Sequence, residues 1–381
     1  MTEAAPMMGS LNGGKSMKFT IERATFLEAL QKVQNVVPAR STLQILSNAL
    51  LVAENGSLTL TTTDLDISVR CKVEAVIEEP GATTLPIRRL VSIVRELSES
   101  AIEVAVDDSD TATVQCGSSF FKIVGLPRRD FPPVPGADGT VFFRIDSGVF
   151  LEMLRKTSYA VSTDETRRVL TGVLLSFRDG KLTTVATDGR RLALVEHEIE
   201  FPPETERDIV LPSKSVAELM HVLRDEGDLR IFTQKTQAVF ELGDTMLSTK
   251  LIDGAYPNYR QVIPSNFDER VVIAREELLA ALRRVSVVTT DKSNATTLTF
   301  ADNILTIVTK TPEVGEARET IPVKYTGSEI TVTFNPEYVM DPLRNLDTDE
   351  IYFDLSNGHS PATIKCELPF LYVLMPLRVG A

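Results

Sequence analysis

The chain has 381 residues, 43% hydrophobic and 24% charged, the balance of a globular protein with room for two or three domains of ~100–200 residues. No apolar run approaches the ~20 residues of a membrane span, so a helical membrane protein is excluded. A formal net charge of −13 excludes a uniformly basic nucleic-acid-binding surface.

Residues 1–16 carry Gly, Ser, Asn and Met without an apolar signal core, and are expected to form a disordered or appended tail ahead of Met17. Phe19-Thr20-Ile21 then predicts a strand feeding a helix seeded by Phe26, Leu27, Leu30 and Val33. A strand-turn-strand follows over 49–62 around Asn55-Gly56, and a second helix starts after Leu85-Pro86-Ile87. The same four landmarks return in the same order. Phe143-Arg144-Ile145 leads to Phe150, Leu151 and Leu154, to a hairpin over 172–187 around Asp179-Gly180, and to Leu211-Pro212-Ser213. Val271-Val272-Ile273 leads to Leu278, Leu279 and Leu282, to a hairpin over 296–309 around Asp302-Asn303, and to Phe334-Asn335-Pro336. The period is about 125 residues, a domain length and not the ~20–50 residues of a solenoid repeat. The chain is three copies of one fold.

The middle copy gives the finer pattern. Val141 to Ile145 alternates as a strand, Asp146-Ser147 supplies a helix N-cap, and a helix is expected over 149–159. Asp188-Gly189 marks a turn before a strand over 191–199, and Ser213 or Ser215 is expected to cap a helix through Leu223. Three more strands are expected over 229–232, 237–242 and 246–251. Alternation dominates over continuous apolar runs, which favours antiparallel sheets with one solvated face and helices on the other, an α+β domain. Proline-rich exits at 131–136 and 256–265 place the domains at 17–140, 141–266 and 267–381.

Charge is segregated along this pattern. Acidic runs at Glu78-Glu79, Asp107-Asp108, 196–206 and 347–350 fall on strands and loops, while Arg88-Arg89, Arg155-Lys156, Lys214 and Arg283-Arg284 fall on helices. Any one basic pair reads as a solvated helix face; their recurrence on corresponding helices suggests a shared basic surface.

No catalytic constellation emerges. His197, His221 and His359 lack partners at metal-ligand spacing, and Cys71, Cys116 and Cys366 are scattered, as reduced thiols in a cytoplasm would be. There is no nucleophile elbow, phosphate-binding lysine loop or dinucleotide fingerprint. Neither a metal nor a cofactor is expected. The stretch from Tyr372 to Val379 is apolar and contains Met375-Pro376, which suits a sheet edge beside a peptide-binding groove.

The run from Lys156 to Arg167, the segment Val185-Ala186-Thr187-Asp188-Gly189-Arg190-Arg191-Leu192-Ala193, the run Lys250 to Tyr259 and the terminal Met375 to Val379 resemble the bacterial DNA sliding clamp family, the beta chain of DNA polymerase III. The resemblance covers Met17 to Val379. It implies a non-catalytic processivity factor in which two three-domain chains close head to tail into a ring around duplex DNA, with helices lining the hole and sheets outside. It implies DNA contact through Arg40, Arg167, Arg168 and Lys214, and a dimer seam of Phe121 and Ile123 against Val287 and Val288. The family's peptide pocket maps first onto Leu170, Thr187, Gly189, Arg191 and Leu192. Its other walls map onto Pro257, Val262, Asn335 and Tyr338, and onto Val373, Met375, Pro376 and Arg378. Implied partners are double-stranded DNA without sequence preference, a replicative polymerase subunit, the clamp loader, and other polymerases and repair proteins sharing that pocket. A DNA-processing accessory enzyme and a scaffold that never meets DNA are the alternatives; substrate turnover and retention on circular DNA separate them.

Overall fold

The computed structural model describes residues 16–98, 101–137, 142–290 and 294–378; the expected tail, apart from Ser16, lies outside them. Among these residues are six α-helices, two per repeat: α1 (Arg23–Gln34), α2 (Ile87–Glu96), α3 (Ser147–Arg155), α4 (Ser213–Val222), α5 (Arg275–Val285) and α6 (Pro336–Arg344). Helix α1 packs on α2, α3 on α4, and α5 on α6. The seeds behave as their spacing requires: Phe26, Leu30 and Val33 are fully buried on α1, and Leu278, Leu279 and Leu282 are buried on α5.

Each repeat opens with a strand whose alternate residues are buried: Phe19 and Ile21, Phe143 and Ile145, Val271 and Ile273. Each opening strand pairs antiparallel with the strand that follows the repeat's second helix. Met17–Glu22 pairs with Ala101–Val106, Phe142–Asp146 with Asp228–Thr233, and Glu269–Ala274 with Glu350–Leu355. The three hairpins turn at Asn55-Gly56, Asp179-Gly180 and Asp302-Asn303, where both central residues have positive φ. Two successive positive φ values give the primed turn whose twist matches its strands, and Asn, Asp and Gly tolerate it best.

The chain forms two compact units. The first runs to Thr140 and includes Ala238–Thr249. It holds a five-stranded sheet with Ser119–Val124 at one edge, and in a separate sheet Thr245–Lys250 pairs with Ile67–Glu74. The second unit contains Val141–Gln237 and Lys250–Ala381, the bulk of the second and third repeats. These repeats share an eight-stranded sheet, joined where Arg191–Glu198 pairs with Phe370–Leu374. A four-stranded sheet with Gly315–Pro322 at one edge also lies in this unit.

Three local expectations change. Helix α3 ends at Arg155, and the chain continues as a single 3-10 turn over Ser158–Ala160, because Thr157 Oγ1 bonds back to the Met153 carbonyl at 2.8 Å. Asp146 caps α3 as expected, accepting from Gly148 N and Val149 N. Neither Ser213 nor Ser215 caps α4: Ser213 is its first residue and bonds the Thr171 carbonyl, while Ser215 is buried. The terminal strand is not an edge. Phe370–Leu374 lies between Arg191–Glu198 and Ala362–Lys365 with Tyr372, Val373 and Leu374 buried, and Pro376 falls two residues past its end, where it removes no ladder donor.

Candidate partner-binding cleft and DNA-contact residues

The candidate cleft maps onto the seam between Arg191–Glu198 and Phe370–Leu374. In its register Leu192 faces Val373, and the two join a buried cluster with Leu174, Val185, Leu194, Val210, Ile252 and Tyr259. Val169, Tyr256, Ile263 and Leu371 pack against that cluster while half-buried. Leu170, Pro257 and Val262, which the resemblance assigns to the pocket, are next in the chain to three of these. Val262 is 51% exposed and Met375 42%, so apolar side chains meet solvent at the margin of an apolar cluster. Exposed apolar groups bordering a preformed core are what a short hydrophobic peptide needs.

One side of the cleft is the turn 187–190. Gly189 has φ +87°, and a Cβ there would meet Arg167 Nη1 at 3.1 Å. Asp188 is the turn residue its Asp-Gly step predicts, and its Oδ1 accepts from Arg190 N at 2.8 Å and Arg191 N at 3.1 Å. Thr187 Oγ1 accepts from Gly189 N and donates to the Arg191 carbonyl. The turn is therefore closed on itself and fixes where Arg191 begins.

Arg191 holds the repeats together. Its side chain is only 9% exposed, and its guanidinium donates to Asp188 Oδ2 at 3.2 Å, to the Tyr159 carbonyl at 2.7 Å and to the Asp341 carboxylate. The same group lies over the Tyr338 ring, 4.3 Å from its centroid. Asp341 and Tyr338 both belong to α6, whose N-terminus Asn335 caps by accepting from Glu337 N. Tyr372 OH donates to the Tyr338 carbonyl at 2.7 Å, and burial pushes the Tyr372 hydroxyl pKa well up. Beyond the strand, Met375 N donates to the Arg190 carbonyl and Leu377 N to the Thr333 carbonyl. Pro376 is half-buried and Arg378 exposed. The resemblance implies Arg191 and Tyr338 at the pocket but names neither Asp341 nor Tyr159. Nothing local marks either one, since only the pairing of distant strands brings them to Arg191.

The four DNA candidates differ in how they are held. Arg40 is exposed in the first unit; Arg168 and Lys214 are exposed in the second, Lys214 on the first turn of α4. Arg167 is engaged, donating to Asp164 Oδ2 at 2.9 Å, the Asp188 carbonyl at 2.9 Å and Ser162 Oγ at 3.3 Å. Some helix cations are locally neutralised as well: Arg155 pairs with Glu152, and Arg284 makes a bidentate pair with Glu319.

At the expected seam, Phe121 and Val288 are half-buried and Val287 is 80% exposed, but Ile123 is only 3% exposed within its own chain. The outward positions of that edge strand are Phe120, at 62%, Lys122, and Val124, at 72%. Among the described residues no cluster of His, Cys, Asp and Glu is placed to hold a metal ion, and no helix is long and apolar enough to cross a membrane.

Comparison with known proteins places this architecture. Residues 17–135, 144–258 and 260–378 match in turn the N-terminal, central and C-terminal domains of the DNA polymerase III beta subunit. The chain is 36% identical to the beta sliding clamp of Chlamydia trachomatis over 365 residues, 96% of this chain and 88% of that protein. It is 34% identical to the beta sliding clamp of Pseudomonas aeruginosa over 370 residues, 95% of this chain and all of that one. Among solved structures, the P. aeruginosa clamp bound to griselimycin superposes with a TM-score of 0.91 at 33% identity, covering 96% of this chain and 100% of that chain. The clamp from Bartonella birtlesii, also bound to griselimycin, gives 0.91 at 35%, with the same coverage. Three clamp domains of antiparallel sheets and paired helices, matched along their whole length, establish that this chain belongs to the DNA polymerase III beta sliding clamp family, the non-catalytic processivity factors of DNA replication.

Proposed function

We propose that the chain works as a head-to-tail homodimeric ring around duplex DNA, with domains at 17–140, 141–266 and 267–381, and that partners dock in the cleft at Leu192, Val373 and Met375. The observation that carries the docking site is the apolar cluster on the shared seam, bordered by exposed Val262 and Met375. Its occupants are short hydrophobic segments of the replicative polymerase, the clamp loader, and other polymerases and repair proteins. The ring reading draws on two sheet edges, Ser119–Val124 and Gly315–Pro322, that have a strand neighbour on one side only; pairing such edges between two copies covers both. DNA contact through Arg40, Arg168 and Lys214 is weak and sequence-independent, because base-specific or tight contacts would stop sliding. Arg167 contributes less directly, since its donors already hold the turn 187–190.

Retention on DNA tests this. Protein assembled on nicked circular duplex should co-migrate with the circle as a dimer and be released when the circle is cut. Retention on the linear product at the same salt would overturn the topological reading.

A further inference from the structure

The seam that carries the cleft has a second end, with a groove of its own. Arg191 faces Leu374 at the cleft end and Val195 faces Phe370 at the other, four residues on, or about 14 Å at the rise of an antiparallel strand. There a cavity of about 480 Å³ opens between α3, the end of strand Arg191–Glu198 and the loop before Phe370. Its apolar lining comes from Val149 and Met153 of α3, from Val195, and from Leu368, Pro369 and Phe370. Leu368 is 42% exposed. Glu196 N donates to the Pro369 carbonyl, tying the loop to the strand.

The charged lining is one-sided. Asp146, Glu152, Glu196 and Asp225 face a single ammonium, Lys156, with His197 beside them. Lys156 is already paired with Glu152 at 3.2 Å, and Arg155 holds the same carboxylate at 2.9 Å, so the negative field comes from Asp146, Glu196 and Asp225. Asp146 accepts three backbone N–H groups, from Gly148, Val149 and Gly227, and the Val149 amide above all holds its carboxyl below the usual range. Glu196 is held loosely, with Lys181 Nζ and Thr183 Oγ1 each 3.5 Å from its carboxylate. The groove therefore presents an apolar floor in a negative field. That field repels phosphate and attracts cations, so it favours a cationic segment over nucleic acid.

We infer that this groove is a second docking site, distinct from the cleft, for a partner segment carrying a large apolar side chain flanked by lysine or arginine. The apolar side chain covers Leu368 and Val195, and the flanking cations sit against Glu196, Asp225 and Asp146. A segment of that composition is wrong for the cleft, where Arg191 and Arg378 are cationic and no such run of carboxylates lines the apolar cluster. The two ends of one seam thus select partners of different charge.

Two fluorescein-labelled hexapeptides test this on the full chain: a phenylalanine-leucine core flanked by two lysines on each side, and the same core flanked by glutamates. Anisotropy titrations at low salt should show the basic probe binding at least about tenfold more tightly than the acidic one. The Glu196→Lys, Leu368→Ser double variant should weaken the basic probe about tenfold or more, while Met375→Glu in the cleft should leave it within about twofold. Should the double variant lose its native circular dichroism, Glu196→Gln alone, on a half-exposed side chain, should still weaken the basic probe measurably. Equal binding of the two probes, native affinity in the groove variants, or loss of basic-probe binding only in Met375→Glu would each overturn the proposal. None of these outcomes bears on retention on circular DNA.

Discussion

The guanidinium of Arg191 bonds the carboxylate of Asp341, so the first residue of a strand in the second repeat is locked to a helix of the third. Arg191 is nearly buried and Asp341 is 21% exposed. Removing the carboxylate strips a nearly buried cation of one of its two carboxylate partners and leaves it Asp188 and the Tyr159 carbonyl. Asp341→Ala should therefore destabilise the second unit by roughly 1–3 kcal/mol. It should also weaken peptide binding in the cleft, because Tyr338 and Leu192 lose their fixed spacing. Urea denaturation and a peptide titration on the same variant check both effects; a stable variant with native affinity would show that the pair positions nothing.

Met375→Glu places a charge at the margin of the apolar cluster. Loss of one well-buried anchor costs a bound peptide about 2 kcal/mol or more, beyond tenfold in affinity. Dimer mass by light scattering should not change. Removing residues 377–381 should act in the same direction, since Leu377 N is anchored on the Thr333 carbonyl.

The dimer seam is best probed at Val287. At 80% exposure a glutamate there leaves the chain's own packing intact and should yield folded monomers. Ile123→Glu is a different experiment, because a charge at a 3% exposed position has no water and no partner. That variant should lose thermal stability before it reports on assembly. Light scattering that finds Val287→Glu fully dimeric would move the seam elsewhere.

Asn303 separates two rules about turns. It has φ +61°, so glycine would relieve a left-handed residue by up to about 1 kcal/mol. Yet its Oδ1 accepts from Tyr325 N at 3.0 Å, and Tyr325 is buried; an unpaired buried N–H costs roughly 1–3 kcal/mol. The lost bond outweighs the relief, so Asn303→Gly should destabilise by about 1 kcal/mol. A thermal melt gives the sign directly.

Asp354 makes stability depend on acid. Burial alone would raise its carboxyl pKa, but Arg270, bonded at 2.7 and 2.9 Å, and Lys365, at 3.1 Å, outweigh burial and hold it below the usual carboxylate range. A lowered folded-state pKa adds stability that is complete above the unfolded carboxylate value, about pH 4, and is lost as pH falls through the lower folded value. Asp354→Asn should be less stable at pH 7 and should flatten the acid side of the stability profile. Denaturation midpoints across pH 2 to 7 decide it.

The repeat, the hairpins and the helix seeds could be read from the chain because each is local: a turn such as Asp179-Gly180 signals itself, and Phe26, Leu30 and Val33 mark one helix face. What escaped reading was set by distant partners. Ser213 has the composition of a cap, but the Thr171 carbonyl takes its hydroxyl. Pro376 suggested an edge, while the strand before it lies inside a sheet. Asp341 shows no sign of its role until the seam brings Arg191 to it. The pocket residues came from resemblance, and the structure puts Leu192 and Val373 in one cluster while leaving Arg378 exposed.

The seam also has a consequence for how the chain is made. Strand Arg191–Glu198 finds its partner roughly 180 positions later, and at synthesis rates of about 5–20 residues per second that partner emerges some 10–40 s afterwards. Throughout that interval Leu192, Leu194 and Val195, all buried in the finished fold, stand on an open strand edge of the nascent chain. The shared sheet closes only when Phe370–Leu374 arrives, so a ribosome stalled before Phe370 would display an adhesive surface that the finished fold covers.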